Sequence, residues 1–76
     1  MIFVDGFDKA LIGAVRCFNQ TYPLYDYQKC VEVLEEADFS QEEAVEYLEY
    51  NVLGAYVGEG MPCFAVLGDE GMEMLD

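Results

Sequence analysis

The tetrad Ser40-Gln41-Glu42-Glu43 constrains the fold of this chain more than any other short stretch. A serine hydroxyl at the N-cap accepts from the backbone N–H three residues on, and a glutamate at that third position reaches back to the N-cap N–H. Two donors that a helix start leaves unpartnered are thereby satisfied. The tetrad predicts a helix starting at Gln41, with a buried stripe of Ala44, Val45, Leu48 and Val52, and with Gly54 or Gly58 placed to end it. Upstream, Asp26 stands as an N-cap before Cys30, Val33, Leu34 and Ala37, which recur at helical spacing, while Gln28, Glu32, Glu35 and Glu36 fall largely elsewhere. This pattern predicts an amphipathic helix of about three turns. Only a short break at Asp38-Phe39 separates the two helices, so they are expected to pack as neighbours.

The segments around this pair read as strands. Residues 10–18 are apolar, and Phe7, Leu11, Ala14 and Phe18 also fit a helical stripe. The run is short, however, contains Gly13, and is followed by a polar turn and a second segment held extended by Pro23. A β-hairpin is the favoured reading, with a helix as the alternative. Gly54 to Gly60 with Pro62 marks a turn, and Cys63-Phe64-Ala65-Val66-Leu67 reads as a third strand. The expected fold is α+β in the order ββααβ, two helices packed on a three-stranded antiparallel sheet. Residues 1–67 form one compact acidic domain in this reading, and residues 68–76 a frayed acidic tail.

Sixteen Asp and Glu against three Lys and Arg, with no His, give a net charge of −13. Binding phosphates directly requires cations to neutralise them, and Lys9, Arg16 and Lys29 are too few, so direct nucleic-acid binding is not expected. The same charge opposes an anionic membrane surface, and no apolar run approaches the roughly 20 residues of a spanning helix. The first residues lack a basic n-region, and a cytoplasmic setting is expected. High charge alone would indicate disorder, yet 54% of residues are apolar and 14% aromatic, so the chain has the means to fold. Cys17, Cys30 and Cys63 are odd in number and widely spaced, and are expected as reduced thiols.

Catalytic groups are sparse. Without His there is no ordinary general base near neutral pH, and Ser40, the only serine, is already explained as a helix cap. Paired carboxylates would need a dry pocket that raises one pKa, and a domain this small has little interior for it. The chain is expected not to be an enzyme. Asp5-Gly6-Phe7-Asp8 and Gly68-Asp69-Glu70-Gly71 fall short of a calcium loop, and neither His nor a CxxC pair supports zinc, so no metal or other cofactor is expected. Gly58-Glu59-Gly60 has no following Lys and reads as a turn rather than a phosphate loop.

The acids themselves form a pattern. Glu42, Glu46 and Glu49 lie at i, i+4 and i+7, on one helix face and over roughly 10 Å of axis. Glu32, Glu35 and Glu36 add a second row on the first helix, and Tyr47 and Tyr50 flank the row on the second as rigid, amphipathic contact area. A solubilising surface interleaves both signs of charge, whereas this one is acidic nearly throughout, which points to a basic partner. Duplex DNA presents one negative charge per about 1.7 Å of axis, so an acidic helix face can occupy a groove built for phosphates.

The stretches Tyr25–Glu32 and Glu42–Tyr47, followed by Asn51-Val52-Leu53-Gly54-Ala55-Tyr56-Val57-Gly58-Glu59-Gly60-Met61-Pro62, resemble a family of short, functionally uncharacterised proteins of tailed phages and prophages. The resemblance covers roughly residues 5–67 and implies a phage origin and a host-cytoplasm setting, with no catalytic residue to carry over. In size and charge the chain is also similar to anti-CRISPR and anti-restriction inhibitors that occupy nucleic-acid channels. Phe39–Leu48 separately resembles the last helix of ubiquitin-associated domains. The leading expectation is a DNA-mimicking inhibitor of a host defence complex, a CRISPR effector or a restriction enzyme. Glu32, Glu35, Glu36, Glu42, Glu46 and Glu49 would stand in for phosphates, with Tyr47 and Tyr50 as anchors. The alternative is a structural or regulatory protein that binds a partner, or a second copy as a homodimer, through apolar surface.

Overall fold

The structure, a computed structural model, describes residues 2–55 and 61–76. A short 3-10 turn, Asp8–Ala10, leads into strands β1 (Leu11–Cys17) and β2 (Gln20–Asp26), then helices α1 (Tyr27–Glu36) and α2 (Gln41–Tyr47). Helix α2 continues without a break as a π-helical turn, Leu48–Leu53, and the chain closes with β3 (Cys63–Ala65) and helix α3 (Gly68–Glu73). The expected turn after Gly54 falls, from Tyr56 to Gly60, outside the described residues.

Residues 10–18 are strand rather than helix. The hairpin closes on two residues, Phe18 and Asn19, both at positive φ (51° and 66°), with Cys17 paired to Gln20. This backbone follows the right-handed twist of the flanking strands, which favours positive φ at both central positions. Asparagine tolerates that region, but a bulky aromatic such as Phe18 rarely enters it.

The sheet is mixed, which corrects the antiparallel expectation. Strands run in the order β1-β2-β3, β1 antiparallel to β2 and β2 parallel to β3, with Leu24 opposite Cys63 and Asp26 opposite Ala65. A parallel neighbour needs a crossover of a dozen or more residues, and α1 and α2 lie within that connection. Proline is ordinarily excluded from a central strand, because it cannot donate to a ladder. Here the parallel ladder begins at Leu24, one residue past Pro23, so β3 never meets the missing donor.

Helix α1 starts where its cap requires: the Asp26 carboxylate accepts from the N–H groups of Gln28 (3.0 Å) and Lys29 (3.3 Å). It ends in a Schellman arrangement, in which the Asp38 N–H donates to the Glu35 carbonyl and the Phe39 N–H to that of Leu34, with Asp38 at φ 72°. The capping box of α2 is complete. Ser40 N–H donates to Glu43 Oε1 at 2.9 Å, and Glu43 N–H to Ser40 Oγ at 3.2 Å.

The core joins Cys30, Val31 and Leu34 of α1, Ala44, Leu48 and Val52 of the second helix, Val4, Phe7 and Ala10 ahead of β1, and Tyr25 of β2. Val31 takes the buried place expected for Ala37, which is exposed at the end of α1. The sheet gives this cluster little: β1 has no buried residue, and in β2 only Pro23 and Tyr25 are buried. The helices therefore pack on each other and on the N-terminal segment, with the hairpin attached through the far end of β2. Tyr25 fixes that attachment, because its hydroxyl accepts from the buried Val4 N–H at 2.9 Å while its ring stacks on Phe64 at 5.5 Å.

Residues 68–73, expected to fray, form α3, although none of them is buried. Its backbone comes close to the end of the preceding strand, and a Cβ at Gly71 would run into the Val66 carbonyl, so this position requires glycine.

Candidate functional site

The second helix carries the acids and the aromatics together. The capping box fixes where α2 starts, and burial of Ala44 and Leu48 fixes its rotation. Glu42, Glu46 and Glu49 then line one open depression of about 860 Å³ with Gln41, Val45 and Tyr50. An adjoining depression of about 440 Å³ is lined by Glu46, Tyr47 and Tyr50 with Phe39, Glu43 and Asn51. Tyr50 and Glu46 belong to both, so Tyr50, 78% exposed, stands between the two groups of acids. Tyr47 is more enclosed at 38% and meets the Phe39 ring edge-on at 5.4 Å.

The row does not continue as an α-helix. From Leu48 the helix widens to π spacing, so Ala44, Leu48 and Val52 can stay in one buried stripe at intervals of four instead of drifting around the axis. Glu49 and Tyr50 lie on the widened turn. Glu49 is held there by a 2.8 Å hydrogen bond from the Tyr27 hydroxyl at the start of α1.

Glu32, Glu35 and Glu36 are exposed on α1 and stand outside both depressions. Glu36 lies 3.6 Å from the Lys9 ammonium, in an ion pair whose side chains are 80% and 66% exposed and which adds little stability. Electrostatically the two helices differ. Glu42 and Glu43 sit in the first turn of α2, where the helix dipole favours negative charge, and hydrogen bonds from the Ser40 backbone and side chain hold Glu43 below its usual pKa. Glu35, Glu36 and Asp38 instead crowd the negative end of α1, which has no basic residue in its last turn. That placement costs stability.

Sequence reasoning passed over Tyr27, Glu43, Gln41, Val45, Phe39 and Asn51 as parts of this surface. The i+1 and i−1 neighbours of the row were open to detection from helix geometry, but Tyr27 lies 22 residues from Glu49 and no local pattern announces the bond.

Among the described residues no charged side chain is buried, no group of three Cys, Asp or Glu converges on a metal position, and no helix is long and apolar enough to cross a membrane. Cys17, Cys30 and Cys63 are free thiols. The depressions are open, and the carboxylates that line them are exposed to solvent. Compared with known proteins, the chain matches no family model, no curated protein and no solved structure.

Proposed function

We propose that this chain is a non-enzymatic inhibitor of phage type that binds a basic, nucleic-acid-binding surface of a host defence complex and mimics DNA there. A CRISPR effector or a restriction enzyme is the class of target. One observation carries the reading: Glu42, Glu46 and Glu49 line a single open depression with the exposed Tyr50. An exposed aromatic beside a row of carboxylates offers apolar anchoring that charge alone lacks. Glu32 and Glu35, exposed on α1, extend the negative surface that a basic partner would meet. The resemblance to phage proteins supplies the host-cell setting.

The test is competition. The chain, immobilised, captures its target from host lysate, and duplex DNA is then titrated in. Displacement is expected, together with weaker capture as salt rises and after the double substitution Glu42→Gln, Glu46→Gln. A target that holds DNA and this chain together with neither affinity reduced would sink the mimicry.

A further inference from the structure

The hairpin differs from the rest of the molecule in charge. Between Lys9 and Tyr25 there are two cations, Lys9 and Arg16, and none of the sixteen acids. It also differs in burial: β1 is exposed along nearly its whole length, with Leu11 at 40% and Ile12 at 41%, and Phe18 at the tip is 94% exposed in a backbone conformation it rarely adopts. Among the described residues no strand pairs with the outer edge of β1. An apolar edge strand with open backbone groups is a template for pairing, and monomeric proteins blunt such edges with charge or proline. Gly13–Cys17 carries one charge, Arg16, and no proline, and the register irregularity of β1 is confined to Leu11–Gly13.

The alternation of backbone groups follows from two facts. A two-residue turn makes Cys17–Gln20 a hydrogen-bonded pair, and Pro23, which has no N–H, then falls opposite Ala14 at a non-hydrogen-bonded pair. The peptide groups of Ala14 and Arg16 therefore point to the free edge.

We propose that β1 pairs antiparallel with β1 of a second copy of this chain, joining two sheets edge to edge through Gly13–Cys17. Centred on Val15, a two-fold axis sets Val15 opposite Val15, Ala14 opposite Arg16 and Gly13 opposite Cys17, so the two arginines never face each other. Phe18 then comes beside Ile12 of the second copy. Charge favours this occupant. Residues 9–25 are the longest acid-free run of the chain, so two −13 chains meet there with little repulsion. The antiparallel direction also puts the two acidic bodies at opposite ends of the joined sheet.

The experiment is sedimentation of the full chain over a range of protein and salt concentrations. A dimer that tightens with salt is expected, since screening weakens the residual repulsion and leaves apolar and backbone pairing in place. Ala14→Pro removes only an outward-facing N–H, which an edge strand tolerates, and is expected to give a folded monomer by circular dichroism. Arg16→Glu, at an exposed position, brings acid to the contact and is expected to weaken the dimer at least tenfold at low salt. The proposal is overturned by a wild-type chain that stays monomeric at high protein and salt concentration. It is equally overturned by a dimer that Ala14→Pro and Arg16→Glu, each folded, leave unchanged.

Discussion

The Tyr27 hydroxyl donates a 2.8 Å hydrogen bond to Glu49 Oε2 and so ties the first turn of α1 to the π-helical turn that follows α2. Burial first, and then the hydrogen bond and charge of Glu49, push the Tyr27 pKa up to about 12, while burial and then Asp26 push the Cys30 thiol up to about 11. In the unfolded chain these groups release their protons earlier, near 10.0 and 9.0. The unfolded state thus holds fewer protons in this window, and stability falls as pH rises from about 9 to about 12, being fully present below it. Tyr27→Phe is expected to cost about 1 kcal/mol at neutral pH and to remove the upper part of that alkaline decline. Urea unfolding at stepped pH, on both chains, reads the difference.

A second tyrosine has a costlier role. Tyr25→Phe keeps the ring against Phe64 but leaves the buried Val4 N–H without its acceptor. A loss of about 2 kcal/mol is expected, because an unsatisfied buried donor forfeits its hydration with nothing in return. Chemical denaturation with an unchanged slope and a lower midpoint would bear this out.

Asp38 occupies the left-handed position that closes α1, and it adds a negative charge to the negative end of that helix. Asp38→Gly relieves both costs and is expected to stabilise the fold by about 1 kcal/mol. Thermal unfolding of the two chains in low salt is the measurement, and a destabilised variant would contradict the account.

Gly71→Ala places a Cβ against the Val66 carbonyl, so α3 must move away. Since α3 buries no residue, the effect is expected to be local. Amide exchange should lose protection over Gly68–Glu73 and keep it in α1 and α2.

Self-repulsion at −13 predicts that the melting temperature rises with added sodium chloride and levels off once the Debye length falls below the spacing of neighbouring acids. A melting temperature indifferent to salt would show that the acids are placed without mutual cost.

What the sequence made legible was local. Ser40 and Glu43 announce a helix start because both partners lie within three residues of each other, Asp26 does the same for α1, and the polar break Asn19-Gln20-Thr21 between two extended runs announces the hairpin, although its turn falls earlier, on Phe18-Asn19, and Gln20 and Thr21 join β2. The direction of β3 was not legible: Cys63-Phe64-Ala65 reads the same whichever way it runs, and only the path through two helices delivers it opposite Leu24. Helix α3 was not legible because it buries no residue and so carries no apolar stripe. At the site, the row of Glu42, Glu46 and Glu49 followed from helical spacing, and its partner Tyr27 did not.

The segregation of charge between the hairpin and the rest of the chain makes the molecule an electric dipole as well as an anion. In the field of a positively charged surface a single, unpaired chain turns before it touches, leading with the acid-bearing helices and trailing the hairpin tip at Phe18. Orientation is thus selected during the approach, and fewer encounters are spent on the wrong side of the molecule.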